Sequence, residues 1–348
     1  MLRLPDCALR EIALGTMARS RLFRLATSLF HQRLAMTFPK SSFASAATGL
    51  LLLASSAACA QTQSLPSPVA STRVPASDVE MGGPALWKLA DEDTTIYLFG
   101  TVHVLPKDQP WFTPAIDTAL DSSDELVTEV LMTPEIGAKT QAIVMQKGML
   151  PEGSSVRDLM NEQQKATYET AMTRLGLPVA AFDRFEPWFG ALNLSILPLM
   201  KEGYSPEDGV EKVLEKETDR EIKRAALETI EFQLSIFDEL PQQAQVDYLV
   251  QAAEMIDELK PYIDRMVAEW IEGNADALAE IMNEGVAENP VLMERLMHER
   301  NANWAVWIDD RMDEPGTVFI AVGAGHLAGQ KSVQELLTER GFTITRVQ

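Results

Sequence analysis

Two segments of this chain, 223 positions apart, follow one plan, and that repetition limits the fold more than any other feature. In the first, the apolar run Thr95-Ile-Tyr-Leu-Phe ends in Gly100-Thr-Val-His103, followed by a helical pattern from Pro114 to Leu120 and a second apolar run, Glu125 to Val130. In the second, Thr317-Val-Phe-Ile-Ala-Val ends in Gly323-Ala-Gly-His326, followed by a helical pattern from about Lys331 to Arg340 and a last run, Phe342 to Val347. Continuous apolar runs of this length are typical of strands covered on both faces. The reading is an α/β fold, its sheet mixed or largely parallel and built from two strand-helix-strand units that each carry a Gly-x-x-His motif.

Between the units, from about 133 to 315, the pattern is mostly helical, so both ends of the chain complete the sheet. Ser155 caps a helix running through Leu159 and Tyr168 to Leu175, closed by Gly176 and Pro178. Further helices are expected over Glu207 to Glu217, Glu231 to Met255 with a break near Pro241, Pro261 to Gly273, and Pro290 to Met312, with one short strand from Glu221 to Leu227. The methionines of this region read as core filling.

A glycine at the carboxyl end of a strand lets the backbone turn sharply or approach a ligand, and open α/β sheets bind ligands beyond those ends. His103 and His326 both fall there, and beyond residue 60 the chain has only three histidines. Matching contexts for two of the three point to a shared site; the alternative is two histidines that satisfy strand-end hydrogen bonds. His298 has no such context and reads as a helix-surface residue. The spacing in Gly323-Ala-Gly-His-Leu-Ala-Gly329 does not fit a dinucleotide fingerprint.

The first 60 residues read as a targeting segment. From Met36, Lys40 precedes the small and apolar run Ala46 to Ser56, which leads to Ala58-Cys59-Ala60: a charged n-region, an h-region too short to span a bilayer, and an A-x-A cleavage site. Met17 and Met36 are both plausible starts. A periplasmic or secreted protein is expected, with a lipid anchor at Cys59 as the alternative. Residues 61–83, rich in Ser, Pro, Ala and Thr, read as a flexible tether, and the folded domain as 84–348. No transmembrane span is expected in the mature chain.

Cys7 and Cys59 are the only cysteines, so the mature chain has neither a disulfide nor a thiolate, and a metal site there would have to use His, Asp and Glu. Residues 1 to 60 hold seven basic and two acidic side chains, leaving 23 basic and 49 acidic beyond them. So negative a field repels phosphate backbones and argues against nucleic acid as a partner.

The stretches Leu86-Trp-Lys-Leu through His103, Glu125 to Val130, Leu227-Glu-Thr-Ile-Glu-Phe-Gln-Leu, Arg300-Asn-Ala-Asn-Trp304 and Val322-Gly-Ala-Gly-His-Leu-Ala-Gly329 resemble the ordered landmarks of the TraB/PrgY/GumN family. The family includes the Tiki proteins and is similar in fold to erythromycin-esterase and ChaN-like proteins. In the Tiki branch both motif histidines and a glutamate support metal-dependent proteolysis. The resemblance assigns those roles here to His103, His326 and Glu129, with a divalent metal ion, Mn, Co or Zn, as cofactor. Arg300 resembles the family's Arg-Asn element and joins the candidate catalytic residues, to hold a substrate oxygen or neutralise Glu129. Glu211, in Gly209-Val-Glu211, stands where the resemblance leads one to expect Asp. Glu228 reads either as a second acid at the rim or as a surface or capping residue.

Two imidazoles and a carboxylate form a familiar three-ligand set, and a metal there would supply hydroxide near neutral pH. The expectation is a metal-dependent hydrolase, a peptidase being one form, acting on a peptide, ester or glycan-related substrate. A metal-free esterase-like hydrolase with one histidine as general base stays open. So does a non-catalytic periplasmic binding, regulatory or polysaccharide-biosynthesis accessory protein.

Overall fold

The computed structural model describes residues 82–218, 221–286 and 290–348. The targeting segment, nearly all of the tether, Cys7 and Cys59 lie outside the described residues. Two long strands, β2 (Thr94–Thr101) and β7 (Gly316–Gly323), lie side by side in parallel from Thr94 opposite Gly316 to Thr101 opposite Gly323. Side chains alternate between the two faces. In β2, Ile96 and Leu98 face one core and Phe99 the other; in β7, Val318, Ile320 and Val322 face the first, Phe319 and Ala321 the second. Both faces are buried, which is why these strands read as unbroken apolar runs.

Around this pair the sheet runs in the order β6-β4-β7-β2-β1-β8. It adds β1 (Leu86–Ala90), β4 (Glu125–Thr128), β6 (Lys223–Ala226) and β8 (Thr345–Arg346). Strands β4 and β6 continue the parallel set, whereas β1 pairs antiparallel with both β2 and β8. The sheet is thus mixed but mostly parallel. A two-stranded ladder of β3 (Leu105–Pro106) and β5 (Tyr204–Ser205) stands apart from it.

The Glu299–Met312 and Val333–Glu339 helices cover one face through Trp304, Ile308, Met312, Val333 and Leu337. Much of the helical insertion forms the other, larger core with Phe99 and Phe319. Expected helices recur as Pro114–Asp121, Val210–Glu217, Ile230–Asp238, Gln242–Glu254 and Leu259–Ile271.

Three expectations change in detail. The helix expected to run from Ser155 to Leu175 is two elements: Ser155 caps a 3-10 turn over Val156–Leu159, then Asn161 and Gln164 form a capping box that starts the Glu162–Arg174 helix. The final strand shortens from Phe342–Val347 to Thr345–Arg346 at the sheet edge. The helix expected from Pro290 to Met312 contains a π-helical turn, Glu294–His298, just before Arg300. Among the described residues, no helix is long and apolar enough to cross a membrane.

Candidate active site

The parallel register brings four chain segments to one rim. Thr101 lies opposite Gly323, so both Gly-x-x-His motifs leave the sheet side by side at the carboxyl ends of β2 and β7. Strand β4 stops one residue before Glu129, and β6 ends two residues before Glu228, whose amide donates to the Glu129 carbonyl at 2.9 Å. The two motif glycines do different things. A Cβ on Gly100 would sit 3.0 Å from the Ala324 Cα, so Gly100 lets the two motifs approach closely. The Gly323 amide instead donates to Glu129 Oε1 at 2.8 Å.

Arg300, fully buried, ties the rim together. Its Nε donates to Glu228 Oε1 at 2.8 Å, and Nη2 donates to Glu129 Oε2 at 2.6 Å and Glu228 Oε2 at 2.9 Å. Its Nη1 donates to the Leu296 carbonyl in the π-helical turn and to His326 Nε2, both at 3.0 Å. The guanidinium carbon lies 4.7 Å from the centre of the Trp304 ring, whose indole N–H donates to Glu228 Oε1 at 2.9 Å. Gln233 donates to both carboxylates, at 3.1 Å to Glu129 and 3.0 Å to Glu228.

These contacts fix the state of His326. Its Nδ1–H donates to Asn301 Oδ1 at 2.5 Å, which leaves the Nε2 lone pair to accept from Arg300. Burial and the neighbouring guanidinium push its pKa well below the ordinary histidine value, so the ring is neutral. Glu129 is the converse: burial raises its pKa, but Arg300 and the Gly323 amide outweigh that and hold it well below the usual carboxylate range.

His103 has a different setting. Glu211 reaches it because Gly209 lies so close to the His103 carbonyl that a Cβ would stand 2.1 Å from that oxygen. This contact brings the first turn of the Val210–Glu217 helix against the end of β2. Glu211 Oε1 accepts from His103 Nδ1–H and from the Thr101 hydroxyl, each at 2.6 Å. Burial lowers the His103 pKa, but the Glu211 charge and hydrogen bond, helped by Glu129, raise it to about 9. The His103 and Glu211 side chains keep 11% and 17% of their exposure, yet His103 Nε2 is buried and has no hydrogen-bond partner.

Of the expected residues, Glu129 and His326 are each hydrogen-bonded to Arg300, and His103 shares an electrostatic neighbourhood with Glu129 and Arg300. Glu228, read from sequence as surface or rim, is a buried partner of Arg300. Glu211, Gln233 and Asn301 complete the network. His298 lies outside it, half-buried and paired with Glu294.

A metal on His103, Glu129 and His326 does not fit this arrangement. The His326 Nε2 lone pair and a Glu129 oxygen are the acceptors of Arg300, and a divalent ion there would face a buried guanidinium. Among the described residues no group of three or more His, Cys, Asp or Glu side chains is arranged to hold a metal ion.

Fold and rim together define an α/β protein with a histidine-carboxylate-guanidinium site beyond the carboxyl ends of a mostly parallel sheet. The chain belongs to the TraB/PrgY/gumN family, whose family model matches residues 85–346. No curated protein and no solved structure matches the chain.

Proposed function

We propose that this protein is a hydrolase whose reacting group is His103 Nε2. The observation behind this reading is a contrast within one cluster. Arg300 and His326 have their polar nitrogens bonded, while His103 is held at Nδ1 by Glu211 and its buried Nε2 has no partner. A buried polar atom left unbonded needs an explanation, and a reactant supplies one. With Nδ1–H donated to Glu211, the neutral ring presents its lone pair at Nε2.

A water on that lone pair gives up one proton as its oxygen adds to an acyl carbon. The same proton passes to the leaving oxygen or nitrogen as the C–O or C–N bond breaks. Ester or amide plus water becomes acid plus alcohol or amine, with nothing else consumed. Peptides, esters and acylated glycans all offer such a group. The sequence of residues 36–60 supports action in the periplasm or outside the cell.

The test is hydrolysis of peptide and ester substrates across pH 6 to 10, with chelator or with added Mn, Co or Zn, for wild type and His103→Ala. Activity should survive chelation, rise with pH as the His103 imidazolium deprotonates near 9, and fall by about 100-fold or more in His103→Ala. Activity that disappears with chelator and returns with one ion would instead support the metal-dependent reading. Tight peptide or glycan binding without turnover would support a binding or regulatory protein.

A further inference from the structure

We infer that Thr101 is a positioning residue for the reaction at His103: its hydroxyl keeps the Glu211 carboxylate in the orientation from which that carboxylate holds the imidazole. The kinetic consequence rests on the hydrolase reading above, whereas the spectroscopic one rests on the hydrogen bonds alone.

Glu211 is anchored to the strand end through its backbone rather than through its carboxylate. The Val210 amide donates to the Val102 carbonyl at 3.1 Å, and Gly209 lies against the His103 carbonyl, so the start of the Val210–Glu217 helix is held at the end of β2. Several side-chain torsions still separate the Glu211 Cα from its carboxylate. The side chain keeps 17% of its exposure, so rotamers turned toward water compete with the buried one.

Two donors select the buried rotamer. Oε1 accepts from His103 Nδ1–H and from the Thr101 hydroxyl, each at 2.6 Å. The His103 ring is the group that has to be oriented, so Thr101 is the independent anchor. It is fully buried, and it lies opposite Gly323 in the β2–β7 ladder, which makes its hydroxyl a fixed point two residues before the histidine. Burial raises the Glu211 carboxyl pKa, but the His103 charge and the hydrogen bonds from His103 and Thr101 outweigh it and keep the carboxylate ionised. Without the hydroxyl, Oε1 keeps one of these two donors, and both the rotamer and the charge lose support. His103 then loses the acceptor that fixes Nδ1–H and presents the lone pair at Nε2. A base is oriented by a third group, and here the third group is itself oriented by a fourth.

Thr101→Val and Thr101→Ser separate positioning from packing. Valine keeps the β-branched shape and removes the hydroxyl, whereas serine keeps the hydroxyl and removes a buried methyl. Wild type, both variants, Glu211→Ala and the double variant Thr101→Val/Glu211→Ala should be assayed for ester hydrolysis, with kcat and KM separated, and by NMR of the His103 Nδ1–H proton. Thr101→Val should lower kcat roughly 10- to 100-fold and change KM by less than about 2-fold. Thr101→Ser should keep most of the wild-type kcat, and Thr101→Val should cost nothing further once Glu211 is alanine. The Nδ1–H proton should stand far downfield in wild type and Thr101→Ser, and should move upfield or be lost to exchange in Thr101→Val. A Thr101→Ser protein as impaired as Thr101→Val overturns the inference, as does an equal loss from Thr101→Val with and without the Glu211 carboxylate. If wild type turns over no substrate, the hydrolase reading fails by itself and the proton decides: unchanged in Thr101→Val it overturns the inference, and displaced there but restored in Thr101→Ser it upholds it. Should Thr101→Val fail to fold, Thr101→Ala takes its place beside Thr101→Ser, from which it differs only in the hydroxyl, with the same expectations.

Discussion

Replacing Glu211 with glutamine isolates the interaction that makes His103 unusual. The substitution keeps the size and one acceptor oxygen but removes the charge 2.6 Å from Nδ1. In the wild type the His103 pKa stands at about 9 against an ordinary 6.5. At about 1.4 kcal/mol per unit, the gap means that the folded protein favours the imidazolium by about 3 kcal/mol. Because the folded value is the higher one, this stabilisation is fully present below pH 6.5 and is lost as pH rises through about 9. In Glu211→Gln the pKa should fall, because burial and Arg300 both lower it and Glu129 alone remains to raise it.

The direct assay is NMR titration of the imidazole Cε1 protons. The full chain has four histidines, so comparison with His103→Gln assigns the resonance. Urea unfolding at pH 6 and pH 10 gives the thermodynamic counterpart: wild type should lose about 3 kcal/mol more than Glu211→Gln between the two conditions. A wild-type His103 that titrates near 6.5, or one that Glu211→Gln leaves in place, refutes the coupling and with it the pH profile proposed for hydrolysis.

Gly209→Ala should disturb the same pair without touching either side chain. Gly209 has φ −61°, which alanine adopts freely, so the whole effect is the Cβ placed 2.1 Å from the His103 carbonyl oxygen. A loss of about 1–3 kcal/mol in urea unfolding and a lowered His103 pKa by NMR are expected, and an unchanged titration would show that the close approach does not position Glu211. Mature protein recovered from a bacterial periplasm should begin at Gln61 by mass spectrometry, because Ala58 and Ala60 offer the small side chains a signal peptidase accepts. An intact N-terminus in a soluble cytoplasmic fraction would overturn export.

The parts of the fold that the sequence made legible are those whose periodicity records their burial. Strands β2 and β7 are apolar on both faces because both faces are covered, and their Gly-x-x-His ends follow directly. Strand β8 is shorter than the pattern implies because Phe342 to Val347 alternates with Thr343 and Thr345, yet only Thr345 and Arg346 form ladder pairs with β1, Val347 adding a single amide bond to the Leu86 carbonyl. The 3-10 turn at Val156–Leu159 was also legible in principle, since Asn161 and Gln164 spell a capping box that separates it from the next helix. The π-helical turn before Arg300 has no comparable signal. In the site, Glu228 was ambiguous because its burial depends on β6 pairing with β4 and on an arginine 72 positions away. Glu211 was visible only as a departure from an expected aspartate, since nothing local reveals that Gly209 packs on the His103 carbonyl.

The two motifs are alike in sequence and opposite in electrostatics, and the opposition has a physical origin. Each histidine follows its glycine by three positions at the end of a neighbouring strand, but the first non-motif group each ring meets differs in charge. His103 meets a carboxylate through Nδ1, so its proton is held and its pKa rises. His326 meets an amide oxygen through Nδ1 and a guanidinium through Nε2, so a second proton is excluded and its pKa falls. A ring fixed in the neutral form with both nitrogens bonded cannot carry a proton between reactants, whereas one bonded at a single nitrogen can. Equal spacing in the sequence therefore does not imply equal duty: His326 serves as an acceptor that helps hold Arg300 against two carboxylates, and His103 is left with the one nitrogen in the pair that a reactant can use.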